Sequence, residues 1–302
     1  MKVKSIIKSM RLRTLPLSLA GVVLGILLAV ADYHVTLWTA LLIMLTTVCL
    51  QILSNLSNEL GDVLHGTDTA DRVGPQYGLN SGELKVKDMK LAIGFFVGMC
   101  VISGLAMIYV SFGTLFCMDA VCLMLLGAAA IMGAMKYTLG RNPYGYRGLG
   151  DIFVFIFFGL VSVLGSYFVA SHAIPHWFLL MPASAVGCFS VGVLNVNNIR
   201  DMKTDMENRT TVAIKLGLKG ARIYQTILIV TGWVLLITWS FLRFLDPWHF
   251  LFVLTIPLYI KHLKGVWTKE GRELDPMLPL LVMSTFLLCL LIGLGYTMYL
   301  IV

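Results

Sequence analysis

Two acidic clusters hold the residues best able to do chemistry. One runs from Ser57 to Glu83, SNELGDVLHGTDTADRVGPQYGLNSGE, and the other from Leu194 to Gly217, LNVNNIRDMKTDMENRTTVAIKLG. In the first, Asn58 and Asp62 share a helical face at a spacing of four, and Glu59 lies three before Asp62. Asp68 comes six residues later, about 600° of helical rotation, so it faces away unless the helix ends near Gly66 and a turn brings it back. In the second, Asn197, Asp201 and Asp205 recur at intervals of four and Asn198 lies three before Asp201. A continuing helix would therefore present two carboxylates and at least one amide together. Carboxylates gathered in this way repel unless a proton or a cation intervenes. A set of carboxylate and amide oxygens, with no thiolate or imidazole, suits Mg²⁺. Mg²⁺ usually shares its shell with phosphate, and Arg72, Arg200, Lys203 and Arg209 stand among the acids, able to meet the remaining phosphate oxygens. The combined chemistry is that of a metal-bridged diphosphate.

The chain that must position these groups has 302 residues, 58% hydrophobic and only 13% charged. Its sixteen Asp and Glu are too few to coat a soluble protein of this length. Nine apolar runs approach the roughly 20 residues needed to cross a bilayer as helix, at 15–31, 36–57, 89–110, 114–135, 151–171, 177–196, 222–243, 247–263 and 277–300. Helix is the required state, because lone strands would leave backbone groups unsatisfied in lipid. The basic stretch before the first run resembles a signal peptide, but a small-residue cleavage site is not evident and eight runs follow, so a retained first helix is expected. The expected fold is an all-α integral membrane protein, a single domain over 1–302, with nine transmembrane helices around a central cavity. Asp62 and Asp201 end even-numbered helices on the same side, which suggests an internally repeated design around that cavity.

The connections on one side are short, and those on the other are long and carry 22 of the 23 Lys and Arg. This asymmetry places the N-terminus in the cytoplasm and the C-terminus outside. Thirteen of the sixteen acids share the basic side, so more than topology gathers charge there. The net charge of +7 is thus an orientation signal and a phosphate-binding surface, and nucleic acid is not an expected partner. The six cysteines lie in or beside apolar runs without ligand spacing and are expected to pack. An ion-coupled transporter would also have repeated halves and buried acids, but those acids belong near the midplane rather than at helix ends.

Taken with the nine runs, the acidic motifs after the second and sixth resemble those of the UbiA superfamily of intramembrane prenyltransferases. RLRTLPLSLAGVVLG at Arg11 to Gly25, the stretch from Asn58 through Gly82, YTLGRNPYGYRGLGDIFVFIFFG at Tyr137 to Gly159 and VLNVNNIRDMKTDMENRTTVAIKLG at Val193 to Gly217 spread the similarity over most of the chain. The GxD pattern of Gly66 and Asp68, with the GYRGLGD loop, resembles the branch that prenylates 1,4-dihydroxy-2-naphthoate. Acceptors such as 4-hydroxybenzoate are the alternatives within the superfamily. Where the superfamily usually has Asn-Asp this chain has Asn58-Glu59, which leaves the metal shell open, and Arg209 occupies a place where some relatives carry a third acid.

The resemblance implies Mg²⁺-dependent transfer of a polyprenyl group from polyprenyl diphosphate to 1,4-dihydroxy-2-naphthoate with loss of carbon dioxide, giving demethylmenaquinone. It implies a place in a bacterial inner membrane with the site facing the cytoplasm. Asp62, Asp68, Asp201 and Asp205 would be catalytic, holding Mg²⁺ with help from Asn58 and Asn198, and Arg72, Arg200, Lys203 and Arg209 would contact diphosphate. The loop KYTLGRNPYGYRGLGD would receive the acceptor: Arg141 or Arg147 on its carboxylate, Tyr137, Tyr144 or Tyr146 facing a cation, and Asp151 at a ring hydroxyl. The polyprenyl tail would lie among the spans beside membrane lipid. The topology is testable by substituted-cysteine labelling with a membrane-impermeant maleimide in intact cells. Cysteines placed at Ala173 or Ile174 should label and those at Arg141 or Asn142 should not; the reverse pattern would invert the orientation.

Overall fold

The computed structural model describes residues 2–66, 75–206, 209–244 and 246–298. Ten helices account for most of them: α1 (Lys2–Ser9), α2 (Leu15–Asp32), α3 (Leu37–Leu64), α4 (Val86–Phe112), α5 (Met118–Lys136), α6 (Gly150–Ser171), α7 (Leu180–Arg200), α8 (Val212–Leu242), α9 (Ile256–Thr268) and α10 (Met277–Thr297). Among the described residues, nine helical segments are long and apolar enough to cross a membrane, as the sequence implies. Leu91, Phe95, Ile102, Leu125 and Ile260 are exposed on their flanks. In a chain of this composition such side chains face lipid.

Helix ends explain where the sequence reading and the structure part. Leu12–Thr14 forms a tight turn after Arg11, which is in the left-handed region at φ 50°, and separates α1 from the first span. Pro16 then sits in the first turn of α2, where its missing N–H costs nothing. Polar residues do not stop α3, which continues past the apolar run to Leu64 and carries Asn58, Glu59 and Asp62 on helix. Gly66 follows at φ 67°, the expected stop. The expected continuous helix through the second motif is broken: Asp201 leaves helical geometry at φ −92°, ψ 4°, and one turn, Met202–Asp205, resumes beyond it. The Asp205 N–H still reaches the Asp201 carbonyl at 2.9 Å, so the two carboxylates stay near each other. A short helical stretch from Val212 precedes the seventh apolar run, and Gly217, at φ 67° and ψ 171°, breaks it from the long apolar part of α8.

Packing places α2 among α10, α6, α3 and α7, while α3 pairs with α4 and α7 with α8. The main core joins α2, α6, α7, α8, α9 and α10 through residues such as Leu24, Leu28, Phe189, Trp239 and Tyr296. A second core lies between α3, α4 and the connection that includes Leu79 and Leu84. A third, with Val196, Ile199, Ala213, Ala221 and Val266, underlies the second motif. Gly159 lets α6 and α7 meet: a Cβ there would lie 2.6 Å from the Gly187 Cα. The centre of α6, Phe155–Gly165, is wound as π-helix. Its Phe157, Phe158, Val161, Ser162 and Gly165 line a cavity of about 380 Å³ shared with α3 and α5. Along α3 this cavity extends from Asn58 to Ile43, about 22 Å at the helical rise. The first acidic motif therefore stands at the end of a long, mostly apolar cleft.

Candidate active site

The two motifs meet at Arg209. Its Nη2 lies 3.7 Å from Asp62 Oδ1 and its Nε 3.3 Å from Asp205 Oδ1, so one guanidinium joins the end of α3 to the turn after α7. Three hydrogen bonds, two of them between main-chain groups, fix its segment. The Arg209 N–H reaches the Asp205 carbonyl at 3.0 Å, Thr210 N–H donates to Tyr146 carbonyl at 3.0 Å, and Thr211 Oγ1 caps α8 by accepting from Ile214 N–H. Tyr146 completes the junction from the third sequence block. Its hydroxyl donates to Asp62 Oδ1 at 2.8 Å, and the Arg209 guanidinium lies 5.3 Å from its ring centre. Burial would lower the Arg209 pKa, but the facing Asp62 and Asp205 carboxylates raise it overall, so the group is a permanent cation.

Asp201 has a different setting. The Arg200 Nε and Nη2 donate to its two carboxylate oxygens at 2.8 and 2.6 Å, while Nη1 donates to Asp275 at 2.9 Å and Nη2 to Asn197 Oδ1 at 2.9 Å. Arg200 is buried and engaged along its whole fork, so it braces Asp201 against the N-terminal approach to α10. Lys203 is exposed. Asn198 is buried one turn before Asp201, and Asn58 lines the cavity, its Oδ1 accepting from Thr138 at 3.3 Å. Asp68 and Arg72, expected in the site, lie outside the described residues.

The loop after α5 forms the rim. Tyr137 and Tyr144 line the cavity with Phe153 and Phe157, and Tyr144 stacks on Phe153 at 4.0 Å between ring centres. The Tyr144 hydroxyl donates to the Gly133 carbonyl at 2.8 Å. Burial pushes the Tyr137 phenol up to about 12 and the Tyr144 phenol higher still, so both stay neutral and offer ring faces rather than charge. Arg141 and Arg147 are exposed, and neither lines the cavity; Arg147 contributes main-chain pairing to Thr210. Asp151 is buried at the start of α6 and accepts from the Tyr224 hydroxyl at 3.0 Å.

The structure thus brings Asn58, Asp62, Asp205, Arg209, Tyr137, Tyr144 and Tyr146 to one end of the cavity region. Sequence reasoning missed His65, whose ring lies 2.9 Å from the Gly61 carbonyl and 3.0 Å from the Gly140 carbonyl, tying α3 to the rim loop. It also missed Thr138, Asp275 and Tyr224, which act as partners of Asn58, Arg200 and Asp151. Linear spacing carries no signal for them, since each partner is distant in the chain. Among the described residues, no three acidic, His or Cys side chains form a ready metal cage. The donor chemistry nevertheless fits a hard divalent cation. Oxygen donors from both motifs already face a common positive charge, for which the Arg209 guanidinium stands in.

A bundle with nine membrane-length helical segments among the described residues, its acidic helix ends converging over an apolar cleft, defines an enzyme that handles an amphiphile bearing an anionic head. Residues 18–285 match the model of the UbiA prenyltransferase family, and the chain belongs to that family. It is a membrane prenyltransferase. It is 40% identical over 273 residues to 1,4-dihydroxy-2-naphthoate octaprenyltransferase of Escherichia coli (strain K12), covering 90% of this chain and 86% of that one. It is 35% identical to the enzyme of that name from Haemophilus influenzae, over 97% of this chain and 96% of the relative. Among solved structures, a UbiA homolog from Aeropyrum pernix K1 superposes with TM-score 0.70 at 18% identity, over 98% of both chains. A UbiA homolog from Archaeoglobus fulgidus, bound to GPP and Mg²⁺, gives TM-score 0.67 at 13% identity, over 97% of this chain and 99% of that one.

Replacing Arg209 with Gln removes the shared cation and leaves Asp62 and Asp205 facing each other while buried. The expected loss is on the order of 3 kcal/mol, seen as a lower melting temperature of the purified protein and partly restored by millimolar Mg²⁺. An unchanged melting temperature would show that the guanidinium does not hold the two motifs together.

Proposed function

We propose that this enzyme transfers a polyprenyl group from polyprenyl diphosphate to 1,4-dihydroxy-2-naphthoate with loss of carbon dioxide. The observation that carries the reading is the convergence of both acidic motifs on Arg209 and Tyr146 beside an apolar cleft. The naphthoate acceptor is supported by the names of the Escherichia coli and Haemophilus influenzae relatives and by the extent of their similarity.

In this reading Asp62, Asp68, Asp201 and Asp205, with Asn58 and Asn198, hold Mg²⁺. When bound, that ion neutralises the charge that accumulates on the diphosphate as the allylic C–O bond breaks. Arg209 and Lys203, with Arg72, supply countercharge directly to the departing diphosphate, which leaves with the bonding electron pair. Arg200 acts one step back, fixing Asp201 by the paired donation described above. Tyr146 orients Asp62 through its hydroxyl. The neutral ring faces of Tyr137 and Tyr144 border the place where allylic positive charge develops, and their quadrupoles favour it there. The naphthalene ring supplies the electron pair of the new C–C bond, and the carboxylate leaves as carbon dioxide, giving the demethylmenaquinone skeleton in its reduced form. Arg141 and Arg147 offer positive charge to the incoming carboxylate from the exposed rim, and Asp151 serves a ring hydroxyl. The cleft and adjoining lipid take the polyprenyl tail. The motif end faces the cytoplasm of a bacterial inner membrane.

Membranes containing the enzyme, given Mg²⁺, a polyprenyl diphosphate and 1,4-dihydroxy-2-naphthoate, should form the prenylated, decarboxylated product and release carbon dioxide. Chelation should stop the reaction, and Asp62→Ala or Asp201→Ala should each reduce turnover by about 100-fold or more. Equal turnover in those variants would defeat the metal model. Product formed from 4-hydroxybenzoate but not the naphthoate would reassign the acceptor.

A further inference from the structure

Glu59 sits in the first motif, between Asn58 and Asp62, and a fully buried carboxylate at that place looks like one more metal ligand. Its contacts lead elsewhere. Successive residues on a helix are turned by about 100°, so the side chain leaves α3 on a different bearing from Asn58. Its Oε1 accepts the Leu79 N–H at 2.6 Å, across twenty residues of chain.

The segment it grips, residues 75–84, is fastened at several other points. Gly78 N–H donates to Ser9 Oγ at 3.1 Å, and Ser5 Oγ donates to Glu83 at 2.6 Å. Lys8 pairs with Glu83 at 3.6 Å, and these two partners hold the Glu83 carboxyl below its ordinary pKa, with the Ser5 hydrogen bond the larger cause. Arg13 donates to the Tyr77 hydroxyl at 2.7 Å while the Arg11 guanidinium lies 4.0 Å from the Tyr77 ring centre. Leu79 and Leu84 are buried in the core that contains Leu56 and Leu60 of α3. All but one of these polar ties run to the N-terminal segment. The Glu59 contact instead joins the segment to α3 itself, the helix that carries Asn58 and Asp62.

We infer that Glu59 is a positioning residue: a hydrogen-bond acceptor that clamps segment 75–84 to α3 and so fixes the rotation of the face bearing Asn58 and Asp62, without touching metal or diphosphate. The inference rests on the function proposed above for those two residues. What it requires of position 59 is reach and one acceptor oxygen, not negative charge. The second oxygen, Oε2, is buried without a hydrogen-bond partner. Gln preserves the reach and the accepting oxygen, whereas Asp preserves the charge and falls one methylene short. A clamp and a metal ligand therefore rank these two substitutions in opposite order.

The test uses the full-length enzyme in detergent, comparing Glu59→Gln, Glu59→Asp and Glu59→Leu for tryptic cleavage at the exposed Lys85, for KM and kcat with polyprenyl diphosphate, and for the Mg²⁺ concentration giving half activity. Glu59→Gln should match the parent in all readouts. Glu59→Asp and Glu59→Leu should be cleaved faster and show KM raised about tenfold, the effect of one lost hydrogen bond, with kcat and Mg²⁺ requirement largely retained. A raised Mg²⁺ requirement in Glu59→Gln with a normal one in Glu59→Asp would overturn the inference, as would equal protease resistance in all three. Absence of prenylated product from the parent enzyme would instead refute the proposed function, while the protease series would still decide whether Glu59 clamps the segment.

Discussion

Two carboxylates from distant parts of the chain, Asp62 and Asp205, are held beside one guanidinium, and the rest of the site follows from that contact. Bringing both acids out of water would be prohibitive without an opposite charge, and a single arginine in a low-dielectric pocket answers both. The neighbouring structure serves to keep Arg209 there. Thr210 is tied to Tyr146, Tyr146 to Asp62, and Thr211 starts α8, so three sequence blocks close a ring of contacts around one cation. The arrangement is also chemically poised. A site that already balances two carboxylates with a positive charge matches the charge pattern of a metal-bound diphosphate.

The membrane sets the other constraint. Backbone groups must be satisfied within each span, so a cleft can be opened only by adjusting helix geometry, not by unravelling it. The π-helical centre of α6 is such an adjustment, and five of its residues line the cavity. Small residues do the opposite work on the other side of the same helix, where Gly159 lets α6 pack against Gly187 of α7. One span thus gives way toward the cleft and closes tightly toward the core.

The spans were legible because lipid imposes a simple length and composition rule, and every expected run has a helical counterpart. Helix ends were less so. Apolar pattern placed the end of the second span near Ser57, while α3 carries its polar motif on helix to Leu64, and the second motif breaks at Asp201. The acidic residues themselves stood out by spacing. Their partners did not: Arg200 reads as a phosphate contact from its neighbours in sequence, but its fork is filled by Asp201, Asn197 and Asp275, the last supplied from 75 residues away. Glu59, whose place in the sequence leaves the metal shell open, meets a backbone N–H in space. Local charge pattern reveals that a site exists, whereas the division of labour inside it depends on tertiary contacts that no spacing encodes.

The most direct test of a shared cation site is the binding of Mn²⁺, followed by electron paramagnetic resonance, to the purified protein in the presence of inorganic diphosphate. A site built from both motifs predicts one tightly held Mn²⁺, weakened about tenfold or more by Asp62→Asn and equally by Asp205→Asn. Unaltered Mn²⁺ binding in either variant would contradict it.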